Sequence, residues 1–441
     1  MAAAYYFLLG FIQLCLVASN STPTPIVSTI AGDVVGVQKE LNGTSYRVFK
    51  GIPYAEPPVG PLRFSDPIAK SSWAGVLNAT SFGRACPQTK PDSTLFIPEY
   101  VVTIPSGGWE IGEDCLTLNI YTPVHVGNAS AGGGLAVMVW LHGGSFQHGQ
   151  GGAYDASSLS VDGGVVVVTI NYRLGPLGFL FTGDDSATGN YGLKDQQLAL
   201  KWVQDNIMAF GGDPLKVTLF GQSDVLKSVP LHLSAEGSRS LFQRMAVHSP
   251  KWQMELGDDP NAEILAWFLN CSSDSTSLMV DCLRSKSMEE ILDANKKVVG
   301  SETMGYAWSW HPVSNDDFFS EKPDDITHDF LSVFNSGDGS IGLKLLKENL
   351  HLRGEPYNLT AGVTADQFEG WLRNYTGDSD VSKLAIEENY ISHDIADKNF
   401  ARMKALVDIH LDANSIRYNS ERLDELLKKK LSSVYMMIFD H

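Results

Sequence analysis

Among the side chains of this 441-residue chain, Ser223 is the one whose surroundings are set for covalent chemistry. Residues 216–233 read KVTLFGQSDVLKSVPLHL. A short β-rich run (Val217, Leu219, Phe220) enters Gly221-Gln222-Ser223, and a helical pattern follows. A serine on a tight bend between a strand and a helix exposes its hydroxyl above a sheet, the geometry of a nucleophile elbow. The same serine would also serve as a helix N-cap, a structural role. The elbow motif carries Gly two residues after the serine; here the residue is Val225. Attack by a serine needs an imidazole to take its proton, an acid to orient that imidazole, and backbone N–H groups facing the developing oxyanion.

Such groups must be held by a rigid frame, and the hydrophobic patterning predicts one. Leu118–Tyr121, Ala136–Leu141, Val165–Asn171 and Val217–Phe220 are short, apolar and β-branched, as expected of strands buried on both faces. Lys194–Ile207 places Leu198, Trp202, Val203 and Ile207 on one helical stripe. Strand, helix, strand, turn and helix in that order predict βαβ units in an α/β fold with a mostly parallel central sheet. Ile26–Thr29, Val34–Gln38 and Ser45–Val48 read as small antiparallel strands. Ala262–Leu269, Met288–Val298, Asn399–Val407 and Glu421–Leu431 read as helices, and Ser433–Asp440 as a final strand.

Composition narrows the partners. With 33 basic and 51 acidic residues the net charge is −18, which argues against nucleic acid or an anionic membrane. Tyr5–Ala18 is apolar, too short to span a bilayer, and followed by small residues. It predicts a secretory leader over residues 1–19, with 20–441 as the mature domain and no transmembrane segment. Four cysteines remain after the leader: Cys86, Cys115, Cys271 and Cys282. They allow three pairings, of which the local one, Cys86–Cys115 with Cys271–Cys282, is the expectation. The alternative is a zinc site, though CxxC spacing and flanking histidines are absent, so metal and cofactor are expected to be none. Asn-x-Ser/Thr at Asn42, Asn78, Asn128, Asn270, Asn358 and Asn374 predicts surface glycans on a secreted chain.

Ordered motifs run along the chain. Phe49-Lys50-Gly51-Ile52-Pro53-Tyr54-Ala55-Glu56-Pro57-Pro58-Val59-Gly60 is followed by Leu62-Arg63-Phe64, then by Glu113-Asp114-Cys115-Leu116 with Asn119. Next come His142-Gly143-Gly144 with Gly149, Asn171-Tyr172-Arg173-Leu174-Gly175, Gly192-Leu193-Lys194-Asp195-Gln196 and Phe210-Gly211-Gly212-Asp213-Pro214. In these the chain resembles the type-B carboxylesterases, the cholinesterase-like branch of the α/β-hydrolases, over residues 25–441 and less closely after Ser249. Cys271 and Cys282 fall where that family has its second disulfide. The resemblance implies an α/β-hydrolase fold and a carboxylic ester hydrolase working through an acyl-enzyme. It makes Ser223 the nucleophile, Gly143, Gly144 and the N–H of Asp224 the oxyanion donors, and Asp338, in Phe334-Asn335-Ser336-Gly337-Asp338-Gly339, the acid. The substrate would be a small-molecule ester.

The resemblance also has departures. The elbow glycine is Val225, whose β-branched side chain overpacks such a bend at a cost of about 1–3 kcal/mol. If the Asp224 carboxylate faces the oxyanion, two like charges about 4 Å apart repel by roughly 4 kcal/mol at an effective dielectric near 20. Gln222 replaces the acidic residue usual before the serine. The family's histidine lies in a Gly-x-x-His-Gly context that these residues do not contain; His351, His393, His410 and His441 have other neighbours. The expectation is a domain incomplete at its C-terminal end, with turnover by this chain absent or very low. The alternative is a non-catalytic extracellular binding or adhesion module on the same fold, with a protein as partner, since branches of the family have lost the catalytic residues.

Overall fold

The apolar strands bury alternate residues on opposite faces of one large sheet, the period-two rule of a pleated strand. In β-branched, doubly buried strands this leaves no polar face, which is why they read as continuous apolar runs. The computed structural model describes residues 22–88, 110–124, 133–222, 225–248, 261–299, 310–313, 318–319, 329–335, 364, 366–368 and 434–439.

The strands are β1 (Thr22–Pro23), β2 (Val27–Ser28), β3 (Asp33–Val35), β4 (Val37–Leu41), β5 (Thr44–Pro53), β6 (Val76–Asn78), β7 (Thr117–Pro123), β8 (Leu135–Leu141), β9 (Val166–Ile170), β10 (Gly212–Gln222), β11 (Arg244–His248), β12 (Asp329–Asn335) and β13 (Val434–Phe439). The helices are α1 (Ser157–Gly163), α2 (Gly175–Phe179), α3 (Tyr191–Asn206), α4 (Val225–Ser234), α5 (Glu236–Arg239), α6 (Asn261–Phe268), α7 (Thr276–Ser285) and α8 (Met288–Val299). Ten strands form one sheet in the order β1-β4-β5-β7-β9-β8-β10-β11-β12-β13, and β2-β3-β6 form a second, small one. From β9 through β8 to β13 every neighbouring pair is parallel. From β1 to the β7–β9 pair every pairing is antiparallel.

The α/β class and the mostly parallel central sheet read from the sequence are therefore present. β7, however, runs antiparallel to both neighbours. Burial on both faces hides strand direction from the sequence pattern, so its apolar run looked like those of β8 and β9. β4 and β5 meet at Asn42-Gly43, both at positive φ (51° and 79°), the conformation a two-residue hairpin turn demands. The sequence reading did not find β12, α1 or α7. The expected helices at 399–407 and 421–431 lie outside the described residues.

One layer of the core joins Val137, Val139 and Leu141 of β8 and Val166, Val168 and Ile170 of β9 to Leu200 and Val203 of α3. The opposite layer holds Tyr121, Val167 and Phe220, with Val161 of α1 packed against them. Much of what looked like signature chemistry is polar anchoring between these layers. The Arg173 guanidinium bonds both Asp195 oxygens, at 2.8 and 2.7 Å, with both side chains almost fully buried. Arg63 bonds Glu113 at 2.8 Å and donates to the carbonyls of Arg284 and Lys286 at 3.1 and 2.6 Å. Each buried charge thus has a partner, which low-dielectric surroundings require.

Candidate active site

Two neighbouring parallel strands, β8 and β10, end together. In their register Leu141 lies opposite Gly221. Gly143 and Ser223 each follow that pair by two residues. The chain passes from β8 to β9 on one side and then crosses to β10 on the other. That reversal makes a crevice at the carboxyl ends of the strands, where ligands of open α/β sheets bind. β10 ends at Gln222 and α4 begins at Val225, so Ser223 and Asp224 are the whole connection between strand and helix. Ser223 and Asp224 themselves lie outside the described residues, as does Asp338, three residues past the end of parallel strand β12. His441 also lies outside them.

Gly143 and Gly144 are described, and the loop they open is strained. Gly144 (φ 120°), Ser145 (59°), Phe146 (59°) and Gly149 (115°) all occupy positive φ, unusual for a serine and a phenylalanine. Buried Phe146 is held by the Phe179 ring, 5.0 Å between centroids, and by the Gly175 N–H, which donates to its carbonyl at 2.7 Å. Gly144 is glycine for a reason internal to the loop: a Cβ there would lie 2.2 Å from His148 O. Its carbonyl accepts from the N–H groups of Gln147 and His148 at 2.9 and 3.0 Å. Among the described residues no acceptor faces the N–H of Gly143 or Gly144.

His142, at the root of this loop, is fully buried, with its ring stacked on Tyr172 at 4.4 Å. Its Nδ1 lies 3.0 Å from Gly143 O; because a carbonyl only accepts, Nδ1 carries the proton and Nε2 is left as a bare acceptor. Burial pulls its pKa down to about 4, so the ring is neutral. His232, nine residues after Ser223, is no base for it either. Its Nε2 faces Gln196 Oε1 and its Nδ1 faces Ser238 Oγ, both at 2.9 Å. Nε2 therefore donates, Nδ1 accepts, and burial pulls the pKa to about 3. The sequence reading missed the part played by Gln88, Asn171 and Tyr172, which hold this loop by hydrogen bonds. No periodic signal marks a single buried amide.

The remaining sequence-predicted positions divide simply. Cys86–Cys115 and Cys271–Cys282 are disulfides. Asn42, Asn78 and Asn270 are exposed, while Asn128, Asn358 and Asn374 lie outside the described residues. Among the described residues no group of three or more His, Cys, Asp or Glu could hold a metal ion. No helix among them is long and apolar enough to cross a membrane.

Comparison with known proteins agrees with this architecture. The chain is 32% identical to mouse Neuroligin-2 over 424 residues, covering 88% of this chain and 50% of that protein. It is 32% identical to mouse Neuroligin-3 over 455 residues, 92% of this chain and 53% of that protein. Rabbit Liver carboxylesterase 1 is 38% identical over 296 residues, 66% of this chain and 52% of that protein. The chain thus spans about half the length of the relatives it matches. The model of the carboxylesterase family matches residues 23–441. With its mixed sheet, its flanking helices and this match over nearly its whole length, the chain belongs to the carboxylesterase family and has the α/β-hydrolase fold.

Proposed function

We propose that this fold serves carboxylic ester hydrolysis through Ser223, with turnover by this chain absent or very low. The carrying observation is the Leu141–Gly221 register at the carboxyl ends of two adjacent parallel strands: Gly143 and Ser223 each follow it by two residues, and among the described residues no acceptor faces the Gly143 or Gly144 N–H. Ser223 is then the nucleophile. The N–H groups of Gly143, Gly144 and Asp224 receive the oxyanion of the tetrahedral intermediate, and Asp338 is the acid; the Gly-x-x-His-Gly element that carries the family's imidazole is not among residues 1–441. The name of the rabbit relative, a carboxylesterase, favours this substrate class, a small-molecule ester. Three departures read from the sequence, the absent Gly-x-x-His-Gly histidine, Val225 in place of the elbow glycine and the added Asp224 carboxylate, keep the turnover of this chain absent or very low.

Val225, Asp224 and the absent histidine also favour a second reading, an extracellular binding or adhesion module that takes a protein partner without turnover. The two disulfides and the exposed Asn42, Asn78 and Asn270 are consistent with export and glycosylation for either reading. A fluorophosphonate distinguishes the readings. Labelling that maps to Ser223, and is lost in Ser223→Ala, supports the hydrolase; a folded chain that takes no label supports the binding module.

A further inference from the structure

The loop after β8 is strapped by two side-chain amides that rest on one disulfide. Gln88 is only 3% exposed. Its Nε2 donates to Gly149 O at 2.8 Å and its Oε1 accepts from Gly149 N at 2.9 Å. The N–H and C=O of one residue belong to different peptide planes. The two bonds therefore fix both planes that flank the Gly149 Cα, and with them its φ and ψ. Glycine has more backbone freedom than any other residue, so this is the position where such a clamp restricts most. Two residues on, Asn171 Oδ1 accepts from Gly151 N at 2.8 Å.

Both straps have a common footing. Gln88 Nε2 also donates to Cys86 O at 3.1 Å, and Asn171 Nδ2 donates to Cys115 O at 3.1 Å and Arg84 O at 2.9 Å. Cys86 and Cys115 are the two halves of one disulfide. Gly149 in turn is pressed against the site: a Cβ on it would lie 2.3 Å from His142 Nδ1 and 2.6 Å from Gly143 O. Any shift of Gly149 is therefore handed directly to Gly143.

We infer that Gln88 is a positioning residue for the oxyanion loop, with Asn171 as its counterpart and the Cys86–Cys115 bridge as their frame. The inference rests on reading Gly143 and Gly144 as oxyanion donors. Without the clamp, Gly149 regains its torsional freedom and the loop samples conformations in which the Gly143 and Gly144 amides diverge. The bridge adds a second role to its cross-linking one: it holds the carbonyls on which both straps lean.

Hydrogen exchange on the full chain tests this independently of turnover. Gln88→Met keeps the length of the side chain and removes both bonds; Gln88→Glu keeps the acceptor for the Gly149 N–H. Exchange in a peptide covering residues 143–151 is expected to rise about tenfold in Gln88→Met, from the loss of two ordinary hydrogen bonds. It is expected to rise less in Gln88→Glu, with β9 unchanged in both. An unchanged loop in folded Gln88→Met, or an equal rise in β9, would overturn the inference. Should Gln88→Met not fold, the same readings on Gln88→Glu decide it. In a second arm, the rate of fluorophosphonate labelling at Ser223 is expected to fall about tenfold in Gln88→Met, following the same loss, and to recover partly in Gln88→Glu. No label on the wild-type chain would count against the hydrolase reading, while the exchange arm would still decide the clamp.

Discussion

Tyr172 holds His142 in two ways at once: its hydroxyl donates to the His142 carbonyl at 2.7 Å, and its ring lies nearly parallel to the imidazole, at 14°. The first contact fixes the backbone where β8 gives way to the loop, and the second fixes the side chain. Tyr172→Phe removes the first and keeps the second. The buried carbonyl then lacks that donor, and a loss of about 1–3 kcal/mol in unfolding free energy is expected. Urea denaturation followed by near-ultraviolet circular dichroism measures it; an unchanged midpoint would show that the bond contributes nothing.

Gly149→Ala tests the closeness of the same loop. The residue sits at φ 115°, and its new methyl would meet His142 Nδ1 and Gly143 O inside van der Waals contact. Neither atom is the end of a flexible side chain. A loss of about 1–3 kcal/mol is expected from overpacking alone, with positive φ adding strain. Gly164→Ala is the matched control, because its Cβ position is open although its φ is also positive, at 61°. Thermal midpoints should rank wild type, Gly164→Ala, Gly149→Ala from highest to lowest.

The buried histidines set an acid dependence. His142 and His232 titrate near 4 and near 3 in the folded chain, against about 6.5 once unfolded. Between pH 6.5 and 4 the unfolded chain therefore binds protons that the folded chain does not. Stability rises with pH across that window and falls on acidification, with a slope approaching about two protons. Glu56, held at about 2 mainly by its bond to Lys70, adds its loss lower, as pH falls below its ordinary range. Urea midpoints at pH 7, 6 and 5 should fall in order, and His232→Gln should flatten the slope by about one proton. A flat profile from 7 to 5 would contradict the neutral assignment of both rings.

The Arg173–Asp195 pair gives the largest expected loss. Both side chains are almost wholly buried, and the carboxylate also accepts from the Arg173 N–H at 2.9 Å. Asp195→Ala would strand a guanidinium in the core, at about 3–5 kcal/mol. Little folded material is expected from that variant, whereas Lys296→Ala, which breaks the exposed pair with Asp293, should be neutral within about 0.5 kcal/mol. Expression yield and thermal midpoint of the two variants check the contrast.

What the sequence made legible follows from the range of each signal. Strand-length apolar runs and a one-face stripe are local, and they located β7 to β10 and α3 within a few residues. Ser223 and Gly143 stood out as candidates because each sits just past such a run. Strand direction, as for β7, is a property of pairing and leaves no trace in a doubly buried strand. Asn171 was quoted within a motif, yet its bond to Gly151 depends on a loop that returns to it. Gln88 was further from view: its partner is 61 residues away, and a glutamine beside a cysteine carries no period. The glycine of Gly149 was visible as a letter, but its reason, contact with His142, belongs to the folded loop.

Arg63 has a bearing on how the chain is made. Its guanidinium reaches the carbonyls of Leu283, Arg284 and Lys286, up to 223 positions downstream. On a ribosome adding 5–20 residues per second, that span takes roughly ten to forty-five seconds to emerge. Until then, among these described partners, Glu113 is the one already synthesised.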